Sequence, residues 1–228
     1  MTEPIRARYD RDGYVVLERL FGAADVAGWK AGIRGVLDEA GTPANGVFVG
    51  LAVRSPLLKA AAADLRLVGP LTEAIGPTVE FLSDKIVFKS TGVDFGTPWH
   101  QDWSYWHGIH KVSVWIALDD ATPANGCLKV IPGSHRVVAR HDGAADDGTG
   151  FDNRLDPRAV DESRAVALPA PAGTAVMFHD LLLHASFPNA TGEDRWALIS
   201  TYRDAAVSDP DCDDIAVWRH AFLVAGNR

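Results

Sequence analysis

The chain has 228 residues, 47% hydrophobic and 23% charged, a balance that supports a packed core and lies far from the composition of disordered chains. Its 22 basic and 30 acidic residues leave a net charge of -8, which disfavours nucleic-acid backbones and anionic membranes, and no basic patch reverses it locally. Short, interrupted apolar runs, a mixed-charge opening over Met1 to Arg11 and only two cysteines, Cys127 and Cys212, weigh against membrane spans, a secretory leader, a disulfide framework and a four-thiolate zinc site, so a cytoplasmic protein is expected.

The first predicted element is a strand over Gly13 to Leu17, where aromatic and β-branched residues follow the turn-prone Arg11-Asp12. A helix should follow from Asp25 through Leu37, because Val26, Trp29, Ile33 and Leu37 recur at spacings of three and four and Gly41 stands at a stop position. A second helical stretch, about Pro56 to Ile75, carries an interruption at Gly69-Pro70. From Val79 onward short apolar runs alternate with turn residues: Glu80 to Leu82, Lys85 to Lys89, Thr97 to Tyr105, Val112 to Leu118, Cys127 to Ile131, Val166 to Leu168, Ala175 to Phe178 and Arg195 to Tyr202. Strands at that spacing read as a sandwich or barrel. The acidic, glycine-rich stretch from His141 to Ser163 cannot bury a core face and reads as a long loop, of the kind that often serves as a lid. One domain over 1–228 is expected, with helices over about 22–76, a β core over about 79–203 and the acidic loop over about 141–163.

Two runs carry chemistry. In Thr97-Pro98-Trp99-His100-Gln101-Asp102-Trp103 a histidine and an aspartate stand two apart, which on a strand places both on one face as adjacent metal ligands. In the run from Gly173 to Asn189, His184 ends an apolar stretch beside Ser186, and Arg195 follows eleven positions later. Two histidines and one carboxylate hold ferrous iron with open positions for small ligands. Iron(II) with Asp102 carries one net positive charge, a dicarboxylate such as 2-oxoglutarate makes it one negative, and Arg195, whose planar fork matches a carboxylate, returns it to zero.

The motifs WHQDW, VWIALDD, NGCLKVIPGSHR, MFHDLLLHASFPN and RWALISTYR, in that order, together with the DGYVVLERLF opening, resemble the phytanoyl-CoA dioxygenase family of iron- and 2-oxoglutarate-dependent oxygenases over about Tyr9 to Arg203, with the acidic loop unmatched. The resemblance implies a mainly β fold, a double-stranded β-helix (jelly roll, cupin-like) with flanking helices. By position, His100, Asp102 and His184 would bind iron(II). Arg195 would hold the distal carboxylate of 2-oxoglutarate with help from the Ser186 hydroxyl, Trp115 would line that pocket, and Lys85 falls on a strand whose inward positions approach co-substrate or substrate. Dioxygen would be the oxidant, with succinate and CO2 as co-products and hydroxylation of an unactivated carbon of a small molecule, such as a secondary metabolite, as the usual outcome. A carboxylate at Asp102 argues against halogenation, since halogenases of the family have a small residue there; desaturation, ring closure and stereoinversion use the same ligands.

Other residues read more plainly. His179 recurs in relatives but reads as a neighbour of the site, not a ligand. His107, His110, His135, His141 and His220 read as surface or loop histidines, and Asn125-Gly126 and Pro132-Gly133-Ser134-His135 as turns. Cys127 reads as core. Alternation along the ligand strand sends Trp99, Gln101, Trp103 and Tyr105 away from the metal, while Trp106 and His107, near the strand end, are placed within reach of substrate. The acidic loop hints at a polar or cationic substrate. The competing readings are a cupin-type metal-binding protein or isomerase that does not use 2-oxoglutarate, for which Arg195 with Ser186 has no purpose, and a zinc hydrolase, which lacks a second acidic base near the ligands.

Overall fold

The structure, a computed structural model, describes residues 3–143, 153–210 and 218–227. Cys212 and, within the acidic segment, Asp146, Asp147 and Asp152 lie outside the described residues. An N-terminal helix not foreseen from the sequence, α1 (Ile5–Asp12), buries only Tyr9 and so carries almost no apolar periodicity. Then come β1 (Tyr14–Leu17) and α2 (Ala23–Ala40), whose inward face is Val26, Trp29, Ile33, Val36 and Leu37 and whose end is set by Gly41 at φ 91°. The short β2 (Val47–Val49) and α3 (Leu51–Arg54) lead into α4 (Pro56–Ala62) and α5 (Leu65–Ile75). The expected interruption at Gly69-Pro70 is corrected to Ala63-Asp64. There Asp64 caps a new helix by accepting the Arg66 N–H at 2.9 Å, and α5 carries Pro70 within it at the loss of one backbone bond.

The β region is a jelly-roll core of two antiparallel sheets. The larger runs β1-β7-β4-β9-β3-β10, with β2 also on β3, where β3 is Val79–Lys89, β4 Lys111–Ala117, β7 Ala175–His179, β9 Arg195–Asp204 and β10 Phe222–Ala225. The smaller is β6-β5-β8, made of β5 (Leu128–Val130), β6 (Val166–Leu168) and β8 (His184–Ser186). One face of the large sheet packs on the helices through residues such as Val114, Ile116, Met177 and Leu198; the other packs on the small sheet through Trp115, Val176, Phe178 and Ala197. Burial on both faces explains why β4 is apolar along most of its length rather than alternating. Among the described residues no helix is long and apolar enough to cross a membrane.

Two departures from the sequence reading matter for the site. The segments expected as separate strands, Glu80 to Leu82 and Lys85 to Lys89, are one strand, and its register against β9 slips between Phe81 and Ser83, where two steps on β3 meet one on β9. This bulge inverts the alternation. Val79 and Phe81 face the helices before it, Ile86 and Phe88 face them after it, and Lys85 and Val87 turn to the opposite face. The expected strand from Thr97 to Tyr105 does not form: His100 makes an isolated antiparallel bridge to His184, and Asp102–Tyr105 is a single 3-10 turn.

The ends of the acidic segment brace that stretch. The His141 Nε2 accepts the Gln101 N–H at 3.0 Å, Leu155 N–H reaches the Trp99 carbonyl at 2.9 Å, and the Asn153 amide donates to the Ser104 carbonyl. The fully buried Gln101 completes the clasp, its amide donating to the carbonyls of Val137 and Leu181 and accepting the Ala139 N–H. Opposite, Lys89 ties the approaching loops together from the Phe95 and Phe187 carbonyls, and Gly126, at φ 102°, lets the turn before β5 pass over it. A Cβ on Gly126 would lie 2.7 Å from Lys89 Cδ and 2.9 Å from the Phe187 carbonyl oxygen. Gly126→Ala is therefore expected to lose about 1–3 kcal/mol of stability, read as a thermal midpoint several degrees lower in a circular-dichroism melt; an unchanged midpoint would show that the turn relaxes freely.

Candidate metal centre and co-substrate pocket

The His100–His184 bridge puts two backbones in direct register, each N–H donating to the other's carbonyl at 3.1 Å. Directly opposed residues share a face, so the two imidazoles meet with ring centroids 4.1 Å apart. Each ring is oriented by its Nδ1, which sits 2.9 Å from a carbonyl oxygen two residues back, Pro98 for His100 and Leu182 for His184. The Nε2 atoms therefore point inward, 3.6 Å and 3.8 Å from Asp102 Oδ1. Asp102 enters from the start of the 3-10 turn, not from a strand, and its other oxygen accepts the Ser113 hydroxyl of β4 at 2.6 Å. Two imidazole nitrogens and one carboxylate oxygen thus converge, all three groups buried, each held from behind by a hydrogen bond. This is the donor set and outer support that a ferrous ion requires.

The electrostatics suit ligation. Burial alone would raise the Asp102 carboxyl, but His184, His100 and Lys85 outweigh it and hold the group far below the ordinary carboxylate range. Burial and the neighbouring His100 push His184 down to about 3, so it stays neutral with a lone pair to donate.

These three groups line a cavity between the sheets, whose other walls include Trp115, Ser186, Arg195 and Lys85. Arg195, the first residue of β9, is 1% exposed, and its Nε and Nη1 have no hydrogen-bond partner. Burial lowers its pKa only to about 10, so it remains a cation. A buried guanidinium with unmade hydrogen bonds is costly unless an anion completes it. Its carbon lies 5.8 Å from the centre of the Trp115 ring. Ser186 Oγ accepts the Thr97 N–H at 3.0 Å, which leaves its own proton to donate into the cavity. The cavity therefore offers a cation and a hydroxyl together with three atoms that could hold a metal, an arrangement that fits a short dicarboxylate.

Trp106 and His107 require correction. Because the chain turns into a 3-10 helix after Gln101, the period changes from two to three; Trp106 donates its indole N–H to Asp180 at 3.0 Å and stacks near Trp218, His107 lies against Trp103, and neither lines the cavity. Tyr105 is the aromatic that approaches His100, at 6.2 Å between centroids. Ser113 was missed, although it shares a strand face with Trp115 two positions on. His179 stands with His110 and Asp180 in a second cluster. There the carboxylate is already enclosed: Oδ2 accepts from Lys111 N–H and Trp106, Oδ1 lies 3.1 Å from Nδ1 of both histidines, and the Leu181 N–H occupies the His179 Nδ1. Its part is mechanical, since the Asp180 carbonyl also accepts the Trp103 N–H and fixes the turn that carries Asp102. The hint of a cationic substrate also loses its basis among the described residues. Asp156 and Asp161 cap 3-10 turns, Glu162 accepts the Trp99 indole N–H and Asp142 pairs with Arg140, so none of the four lines the cavity.

Comparison with known proteins agrees with this geometry. The chain is 28% identical to an L-proline trans-4-hydroxylase of Streptomyces griseoviridis, covering 86% of this chain and 84% of the relative, and 29% identical to an ectoine dioxygenase of Stutzerimonas stutzeri, covering 90% and 78%. Among solved structures, EctD from S. alaskensis superposes with a TM-score of 0.73 at 28% identity over 88% of this chain and 76% of that one, and the non-heme monooxygenase ThoJ with 0.78 at 24% identity over 98% and 84%. EctD has also been solved with 2-oxoglutarate and 5-hydroxyectoine. The family description that matches, phytanoyl-CoA dioxygenase, covers residues 9–197. The chain thus belongs to the phytanoyl-CoA dioxygenase family, and is an oxygenase dependent on iron(II), 2-oxoglutarate and dioxygen.

Proposed function

We propose that His100, Asp102 and His184 hold the iron(II), that Arg195 and Ser186 bind the distal carboxylate of 2-oxoglutarate against Trp115, and that the enzyme hydroxylates an unactivated carbon of a small molecule. The observation that carries this reading is the buried Arg195 with two unpartnered donors in the same cavity as the three metal-binding groups. A cupin-type metal protein that does not use 2-oxoglutarate has no use for that cation at that depth. The two broadly matched relatives are named for small molecules, proline and ectoine, which supports a substrate of that size.

Iron held by His100, Asp102 and His184 would, with 2-oxoglutarate and dioxygen, supply the oxidising power, one atom of dioxygen ending in succinate as CO2 is lost and the other in the substrate. The protein's own residues do the rest. Ser113 holds one Asp102 oxygen so that the other faces the histidines, and the Pro98 and Leu182 carbonyls fix both imidazole tautomers. Arg195 neutralises and orients the co-substrate, and Val87, Leu128, Phe178 and Ile199 supply apolar walls that limit water around the reacting centre. Asp102 would take the ligand position that a halide needs, which argues against a halogenated product.

Anaerobic titration with iron(II) and then 2-oxoglutarate should develop the weak visible charge-transfer band of the chelated co-substrate. His184→Ala should abolish it, and Arg195→Met should weaken 2-oxoglutarate binding about 100-fold, as expected for removing one partner of a buried charge pair. If iron binds but no band develops with Arg195 intact, the cupin reading takes its place. Ser113→Ala, which frees the Asp102 carboxylate to rotate, is expected to weaken iron(II) affinity about tenfold, measured by competition with a chelating dye; an unchanged affinity would show that the turn alone positions the ligand.

A further inference from the structure

Lys85 has no place in the scheme above. The bulge in β3 turns its side chain into the metal cavity, and among the described residues no hydrogen bond or close ion pair engages its ammonium, whose field reaches Asp102 and His184 from a distance. Asp102 is already committed, one oxygen to Ser113 and the other toward the two histidines. The register separates Lys85 from Arg195: Lys89 pairs with Arg195, whereas Lys85 pairs with Ile199, four residues along the strands. At strand rise this sets their backbones about 13 Å apart, so the two cations enter the cavity from different positions along the sheet.

Charge makes the same distinction. With the site loaded, iron(II) and Arg195 contribute three positive charges, and Asp102 with the 2-oxoglutarate dianion contributes three negative ones. Lys85 is the remainder among the ionisable side chains that line the cavity, where the two histidines serve as neutral ligands. An ammonium beside an apolar wall of Val87, Phe178 and Ile199, in a site otherwise neutral, selects a molecule with a hydrocarbon portion and one anionic group.

Building on the proposed iron and 2-oxoglutarate site, we infer that the substrate carries a single anionic group of the carboxylate kind and that Lys85 is its anchor, a specificity-determining residue rather than a co-substrate ligand. Ion pairing at one end and iron at the other would fix which carbon of the substrate is presented to the metal.

The test uses acetate as the probe, with the full-length protein loaded anaerobically with iron(II) and 2-oxoglutarate. The readout is paramagnetic relaxation of the acetate methyl protons. Wild type should give a saturable relaxation enhancement that uncharged acetamide does not. Lys85→Met should weaken it about tenfold or more, and Lys85→Arg should restore most of it. In the same samples the charge-transfer titration should give 2-oxoglutarate affinities for Lys85→Met within about threefold of wild type. A tenfold loss of 2-oxoglutarate affinity in Lys85→Met would make Lys85 a co-substrate ligand and overturn the inference. Equal enhancement in wild type and Lys85→Met, or no saturable enhancement in wild type, would also overturn it, because acetate would then be meeting the metal directly or not entering. Failure of wild type itself to form the band would be recognised separately, as failure of the underlying iron and 2-oxoglutarate reading.

Discussion

A pair of backbone hydrogen bonds between His100 and His184 sets the geometry on which the site depends. Residues 84 positions apart are placed directly opposite on one face, and the His100 imidazole is aimed from the edge of β8 without a strand of its own. The third donor, Asp102, then needs only a short turn and one hydroxyl behind it to reach both Nε2 atoms. Since metal affinity depends on holding ligands that repel or dehydrate one another until the ion arrives, much of the surrounding structure reads as bracing for this bridge. Gln101 grips three backbone groups on the far side, His141, Asn153 and Leu155 tie the segment to the ends of the acidic stretch, and Asp180 fixes the turn through Trp103 and Trp106.

The bulge in β3 is the second constraint. A regular strand would carry Lys85 to the same face as Phe81, under the helices, where an ammonium would be buried without a partner. The extra residue between Phe81 and Ser83 reverses the alternation, keeps Ile86 and Phe88 in the helix-side core and gives Lys85 and Val87 to the cavity. One local irregularity thus satisfies both the packing of the sheet and the charge pattern of the site. Arg195 owes its depth to the same ladder, at the start of β9 opposite Lys89. Burial and the nearby guanidinium push the Lys89 ammonium down to about 7, so the carbonyls of Phe95 and Phe187 are what hold it in place.

Composition alone does not say where the charge of the acidic segment is spent. Its carboxylates look like a surface prepared for a cation, yet those described are engaged locally, capping turns or meeting Trp99, Lys129 and Arg140, while the neutral groups at the segment's two ends support the stretch that carries His100 and Asp102. Charge that is satisfied by its own loop contributes little to recognition. The charge that remains unsatisfied in the cavity is positive.

The sequence alone determined the elements whose signals are local. The amphipathic α2, the succession of short strands, the turn at Asn125-Gly126 and the ordered motifs that bring His100, Asp102, His184, Ser186 and Arg195 into one set were all legible, because hydrophobic period, turn chemistry and residue type are written in neighbouring positions. What could not be read there depends on pairing between distant segments. The bridge that replaces the expected strand at His100, the 3-10 turn that redirects Trp106 and His107, Ser113 behind Asp102 and the bulge that turns Lys85 inward are each fixed by a partner many residues away. Side-chain facing changes with a one-residue slip in register, and register is decided only when the sheets and helices pack together.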